Sequence, residues 1–146
     1  MDRVEKITLM MASGLLGLFF LALLAAAKLQ GINVPPCLPP DVKPFSEGRV
    51  DTLPDGRRQL FYVARMWRFE PEVVEVPVNK PVDIFLSAAD VTHGFYVSWT
   101  NTNLMAIPGT VNAYTLKLEK PGVYPIICHE YCGSAHQNMV AYLVAK

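Results

Sequence analysis

The chain is short of the side chains that metals and redox chemistry use most. Its 146 residues include only three cysteines and three histidines. Neither sign of charge dominates, since 13 basic and 13 acidic residues cancel to a formal net charge of zero, with no basic stripe and no acidic tail. That excludes the electrostatic footprint of a nucleic-acid binder. Helical periodicity is scarce as well: beyond residue 27 no 3.6-residue apolar stripe of helical length occurs. A second long apolar run is also missing, so one membrane crossing is the most the sequence offers. The length suits a single domain with appendages.

The one long apolar run covers residues 7–27, 21 consecutive positions without a charged side chain. As a helix it would be roughly 30 Å long, the thickness of a bilayer's hydrocarbon core. A cleaved signal peptide is the rival reading, with Ala25, Ala26 and Ala27 as a cleavage site. The run is longer than a usual signal core, however, and Asp2 and Glu5 dilute the basic flank. A single membrane anchor over residues 1–30 is therefore expected. Arg3 and Lys6 before it and Lys28 after it give only a slight positive-inside bias.

Six of the twelve prolines fall within residues 31–54, which predicts an extended connector over residues 31–58. Leu53-Pro54-Asp55-Gly56 reads as a turn. From there the pattern is β. Short runs at 59–64, 73–78, 95–99, 122–128 and 139–144 are rich in valine and aromatics. Val82, Ile84 and Leu86 alternate with Asp83, Phe85 and Ser87, and Tyr114, Leu116 and Leu118 alternate with Thr115, Lys117 and Glu119. Seven or so short strands predict an all-β body over residues 59–146, a Greek-key sandwich or barrel.

Against this background the soft ligands are concentrated. Cys128, Cys132, His136 and Met139 lie within twelve residues, with His93 far upstream. One cysteine, two histidines and a methionine are the ligands of a blue-copper site. Cys128 is then surplus, and two thiolates at this spacing can bridge two coppers instead. His93 and His136 would each cap one copper, with Met139 and the Glu130 backbone carbonyl as weak ligands. Two other readings remain open at this point. Cys128 and Cys132 could form a structural disulfide, or they could hold zinc with the two histidines, which leaves Met139 without a role.

The run C-x-E-x-C-G-x-x-H-x-x-M, with His93-Gly94-Phe95 following a strand, resembles the binuclear CuA site of cytochrome c oxidase subunit II. The resemblance spans the β body and implies a cupredoxin-like barrel. It implies Cys128 and Cys132 as bridging thiolates, His93 and His136 as terminal imidazoles, and Met139 and the Glu130 carbonyl as axial ligands. A single helix before the barrel is more like the short subunit II of B-type heme–copper oxidases of bacteria and archaea. That implies a prokaryotic plasma membrane, with the copper domain on the outer face. It also implies a c-type cytochrome or similar donor, a heme-containing subunit I as acceptor, and a proton-pumping terminal oxidase as the whole enzyme. Three histidines are too few for hemes and a further copper, so the oxygen chemistry is expected in another chain. In larger members the glutamate matching Glu130 also helps to hold a magnesium at the subunit interface.

The same resemblance makes Trp67, in Met66-Trp67-Arg68-Phe69, a candidate for electron entry, where composition alone suggests a core aromatic pair. His129 is read as a surface residue without a ligand role, and Cys37 as an inert thiol. A rival from another class is a membrane-tethered copper chaperone or thiol reductase built around C-x-x-x-C. It would require a thioredoxin-like βαβ pattern.

Overall fold

The computed structural model describes residues 2–30 and 43–146. Cys37 and four of the connector prolines lie outside them. The chain divides into two units, residues 1–34 and 35–146.

The first unit is helix α1, Arg3–Leu29. It starts in a capping box: Asp2 accepts from the Glu5 backbone N–H at 2.8 Å, and the Glu5 carboxylate accepts from the Asp2 N–H at 3.2 Å. These reciprocal bonds satisfy amides that no helical carbonyl can reach. The helix has 27 residues, a mean hydropathy of 2.3 over its most apolar window, and no buried side chain. At about 40 Å it is long enough to cross a bilayer with tilt.

The second unit consists of two five-stranded sheets. One holds β1 (Arg49–Thr52), β2 (Arg58–Arg65), β5 (Pro81–Ala88) and β8 (Asn112–Lys117) in that order, with β3 (Arg68–Glu70) paired to β2. The other runs β4 (Val73–Val76), β10 (Val140–Ala145), β9 (Gly122–Ile127), β6 (His93–Val97) and β7 (Asn103–Ala106). Two pairings are parallel, β2 with β5 and β4 with β10. Neither joins consecutive strands, so each needs a crossover connection between them.

Alternation decides which side chains enter the core. Val82, Ile84 and Leu86 are buried while Asp83 and Phe85 are half-exposed, as the sequence pattern predicts, but Ser87 is fully buried, its hydroxyl donating to the Thr110 carbonyl at 2.9 Å. Leu60, Tyr62, Phe95, Val97, Ile126 and Leu143, from both sheets, are fully buried in one cluster. Phe95 sits at its centre, 5.1 Å from the Tyr62 ring and 5.3 Å edge-on from that of Phe69.

Several boundaries differ from expectation. The connector does not extend to residue 58: β1 pairs with β2 across the predicted Leu53–Gly56 turn, where the Gly56 N–H donates to the Leu53 carbonyl at 2.9 Å. The aromatic run at 95–99 begins earlier and ends at Val97, because Trp99 adopts φ 60° and leaves the sheet. The short strands β1, β3 and β7 were not expected. Their sequences RVDT, RFE and NLMA are too short to show a polar–apolar alternation.

Candidate metal centre

One end of the β body collects every candidate ligand. His93 opens β6, Cys128 follows the last residue of β9, and the loop to β10 carries Glu130, Cys132, His136 and Met139. Gly133 turns that loop at φ 125°, a conformation that side chains with a Cβ rarely adopt. Two tight turns follow: the His136 N–H donates to the Gly133 carbonyl and the Met139 N–H to the His136 carbonyl, each at 3.1 Å. Residues 136–138 form a 3₁₀ turn, in which positions i and i+3 eclipse. His136 and Met139 are therefore presented to the same side.

The donor atoms converge. The ligand atoms of His93, Cys128 and Cys132 all lie within 4.8 Å of one another, and all three residues are buried. The two Sγ atoms are 3.8 Å apart and both thiols are free. The Glu130 carbonyl lies 3.3 Å from the Cys128 Sγ. His136 Nδ1 and Met139 Sδ reach the cluster through the Cys132 Sγ, at 3.6 and 3.8 Å. Met139 is fully buried and His136 half-buried.

Two features of the donor set suit a bound cation. His93 is 0% exposed, its Nε2 is 2.8 Å from Asp90 Oδ1, and its Nδ1 has no hydrogen-bond partner among the described residues. A buried imidazole nitrogen without a partner is costly unless a ligand bond replaces the hydrogen bond. Burial, reinforced by the neighbouring Cys128 thiol, pushes the Cys132 thiol up to about 11. Its thiolate therefore needs a bound cation at neutral pH, and metal uptake releases the proton. The soft sulfur donors suit copper, as the sequence predicts.

Asp90 was not anticipated from the sequence. It accepts from the Met66 and Val91 backbone N–H groups at 2.7 Å each, in addition to contacting His93. Burial opposes its ionisation, but these hydrogen bonds outweigh burial and hold the carboxyl below its usual value. The signal available was a carboxylate three residues before a histidine. Met66 follows β2 and His93 opens β6, so this carboxylate also ties the two sheets together at the site.

Of the aromatic pair, Phe69 is core and Trp67 is 38% exposed. The Trp67 indole lies over Gly133: a Cβ on that glycine would sit 3.0 Å from its Nε1. The candidate entry residue thus touches the residue next to Cys132. His129 is partly exposed, with its Nδ1 3.7 Å from Glu130 Oε1, and its ring covers Gly94. A thioredoxin-like centre would require a helix between strands. Among the described residues of the β body the only helical element is the 3₁₀ turn, so the thiol-reductase reading is not favoured.

A family model described as "Cytochrome C oxidase subunit II, periplasmic domain" matches residues 59–145. "Cytochrome c oxidase subunit 2" of Thermus thermophilus is 37% identical over 87 residues, which are 60% of this chain and 64% of that protein. The chain thus spans less than two thirds of that relative's length. A solved chain from a heme-copper terminal oxidase dimer is 42% identical, with a TM-score of 0.82 over 99% of this chain and 100% of its own length. Auracyanin A of Chloroflexus aurantiacus, a blue copper protein, shares the fold alone, with 13% identity and a TM-score of 0.50 over 62% of this chain and 100% of its own. The β body is a cupredoxin-like fold, and the chain belongs to the cytochrome c oxidase subunit II family.

Proposed function

We propose that this chain is the electron-transfer subunit of a terminal heme–copper oxidase. It takes electrons from a c-type cytochrome or similar one-electron donor and delivers them to heme in subunit I, where oxygen is reduced to water. The observation that carries this reading is the pair of free thiols 3.8 Å apart beside a buried imidazole whose Nδ1 has no partner among the described residues. Cys128 and Cys132 would bridge two coppers, with His93 and His136 as terminal ligands and Met139 and the Glu130 carbonyl as weak ones. Such a pair supplies one-electron redox chemistry with small reorganisation, because the charge is shared between two ions.

The chain's own residues set the conditions for that chemistry. Asp90 fixes the His93 ring so that Nδ1 is the atom offered to the metal. Burial of Cys128, Cys132 and Met139 excludes water and keeps the ligand set rigid. Trp67, half-exposed and in contact with Gly133, is the candidate route from the donor into the site. The Glu130 side chain, 47% exposed and 3.7 Å from His129 Nδ1, is the one that would help to hold a magnesium at a subunit interface. Helix α1 would anchor the chain once in a prokaryotic plasma membrane, with the β body on the outer side next to subunit I.

The test is to load the full chain in detergent with copper, then measure copper per chain and the electron paramagnetic resonance spectrum. Two coppers sharing one unpaired electron over both nuclei support the reading. A single copper whose spectrum survives Cys128→Ser refutes it. In the proposed site Cys128→Ser leaves at most one copper.

A further inference from the structure

Strand β6 carries His93, and the segment after β9 carries Cys128 and Glu130. The spacing between these two segments is therefore the spacing within the ligand set. The β6–β9 ladder pairs Tyr96 with Ile127 and Val97 with Ile126. Away from the site the Ser98 N–H to Pro125 carbonyl bond at 2.8 Å extends it, and toward the site no strand pairing among the described residues does. The same antiparallel register, carried further, sets Phe95 opposite Cys128, Gly94 opposite His129 and His93 opposite Glu130. The site thus begins where the ladder of backbone hydrogen bonds ends. On its other side this segment is held by one backbone bond, from the Cys128 N–H to the Met139 carbonyl at 3.2 Å.

What lies across the unpaired stretch is a ring on a glycine. A Cβ built on Gly94 would be 2.7 Å from each of Cγ, Nδ1 and Cε1 of His129. Equal distances to three ring atoms place that point on the axis of the imidazole, so the ring lies flat over the Gly94 backbone. Alternation explains the arrangement. Phe95 and Cys128 point inward and are buried, so their neighbours Gly94 and His129 share the outer face. An aromatic ring covering a cross-strand glycine is a known device for holding register. No left-handed backbone requires glycine at position 94, so the close approach of the ring is what excludes a larger residue.

We propose that His129 is a positioning residue: its ring, clamped on Gly94, replaces the missing β6–β9 ladder and fixes the His93 strand against the Cys128–Glu130 segment. It does so without binding the metal. The proposal builds on the copper-site reading above, but the contact exists in the metal-free chain and is testable there.

The experiment compares the full chain in detergent with His129→Ser, His129→Phe, Gly94→Ala and the Gly94→Ala/His129→Ser double variant. In the reduced, metal-free state, the rate of iodoacetamide alkylation of Cys128 and Cys132 is followed by mass spectrometry. Loss of the ring contact should raise the rate about three- to tenfold in His129→Ser and Gly94→Ala, the range a well-packed ring contact supports. His129→Phe, which keeps a flat ring, should stay within about twofold of the parent. The double variant should react no faster than the faster single variant, because both substitutions remove one contact. Parent-like protection in His129→Ser, exposure in His129→Phe equal to that in His129→Ser, or multiplying effects in the double variant would each overturn the clamp. If Gly94→Ala fails to fold, the serine and phenylalanine variants still decide. After copper loading, the resonance spectrum should change in His129→Ser and not in His129→Phe. A parent chain binding one copper would refute the binuclear reading while leaving the alkylation result to judge the clamp.

Discussion

Asp90 shows how much of this site depends on a residue that binds no metal. Its carboxylate holds the His93 ring and accepts from the Met66 amide, so one side chain orients a candidate ligand and joins two sheets. Replacing it with alanine frees the imidazole to rotate and leaves the amide without a partner. Asp90→Ala should weaken copper retention about 10- to 100-fold, as removal of a ligand's hydrogen-bond partner typically does. Competition against a copper chelator measures this, and Asp90→Asn should retain more affinity by keeping an acceptor oxygen. Tyr62 presents the opposite case. Its ring is fully buried, its hydroxyl has no partner among the described residues, and burial raises its pKa. Tyr62→Phe removes an unsatisfied polar group and keeps the ring, so thermal unfolding should show unchanged stability or a gain of up to about 1 kcal/mol.

At the scale of elements, legibility tracked the range of the interactions. The candidate ligands of the loop stand out directly because cysteine, histidine and methionine at fixed offsets lie within one short segment. His93 becomes a candidate only through the upstream His93-Gly94-Phe95 run of the resemblance and the scarcity of histidine in this chain. The alternation in β5 was strong enough to assign its buried face, whereas β1, β3 and β7 carry no such pattern. The contact of His129 with Gly94 and that of Asp90 with Met66 depend on how distant strands register. No local pattern in the sequence encodes that register. Phe95 lies where these levels meet, two residues after a ligand and at the centre of the core. Phe95→Ala should cost about 3–5 kcal/mol in unfolding free energy. Measured by denaturant titration of the metal-free chain, a loss under about 1 kcal/mol would show that the core does not support the site in this way.

On the scale of the whole molecule, a fully exposed apolar helix and a folded β body have different solvent requirements. The helix has no buried residue and no charged side chain between Lys6 and Lys28. Gly17 lies near its middle, so Gly17→Arg places a charge at the centre of the proposed span. The expected penalty is about 2.5–3.5 kcal/mol on the insertion scale. A fall in the carbonate-resistant membrane fraction checks it, and an unchanged fraction would count against a spanning role. The β body should keep its copper spectrum in the same variant, since no ligand comes from the helix.

The parallel pairing of β4 with β10 has a consequence for the order of events during synthesis. β10 lies between β4 and β9 and begins immediately after Met139. The Cys128–Met139 loop is therefore closed only once the last strand has found a partner made far earlier in translation. Pairings of such high sequence separation form late. Until β10 pairs, the segment that follows β9 lacks the strand that closes it, so Cys128 and Cys132 are not yet enclosed. Enclosure of the two thiols is therefore among the last steps of folding, and before it both should react with a thiol reagent.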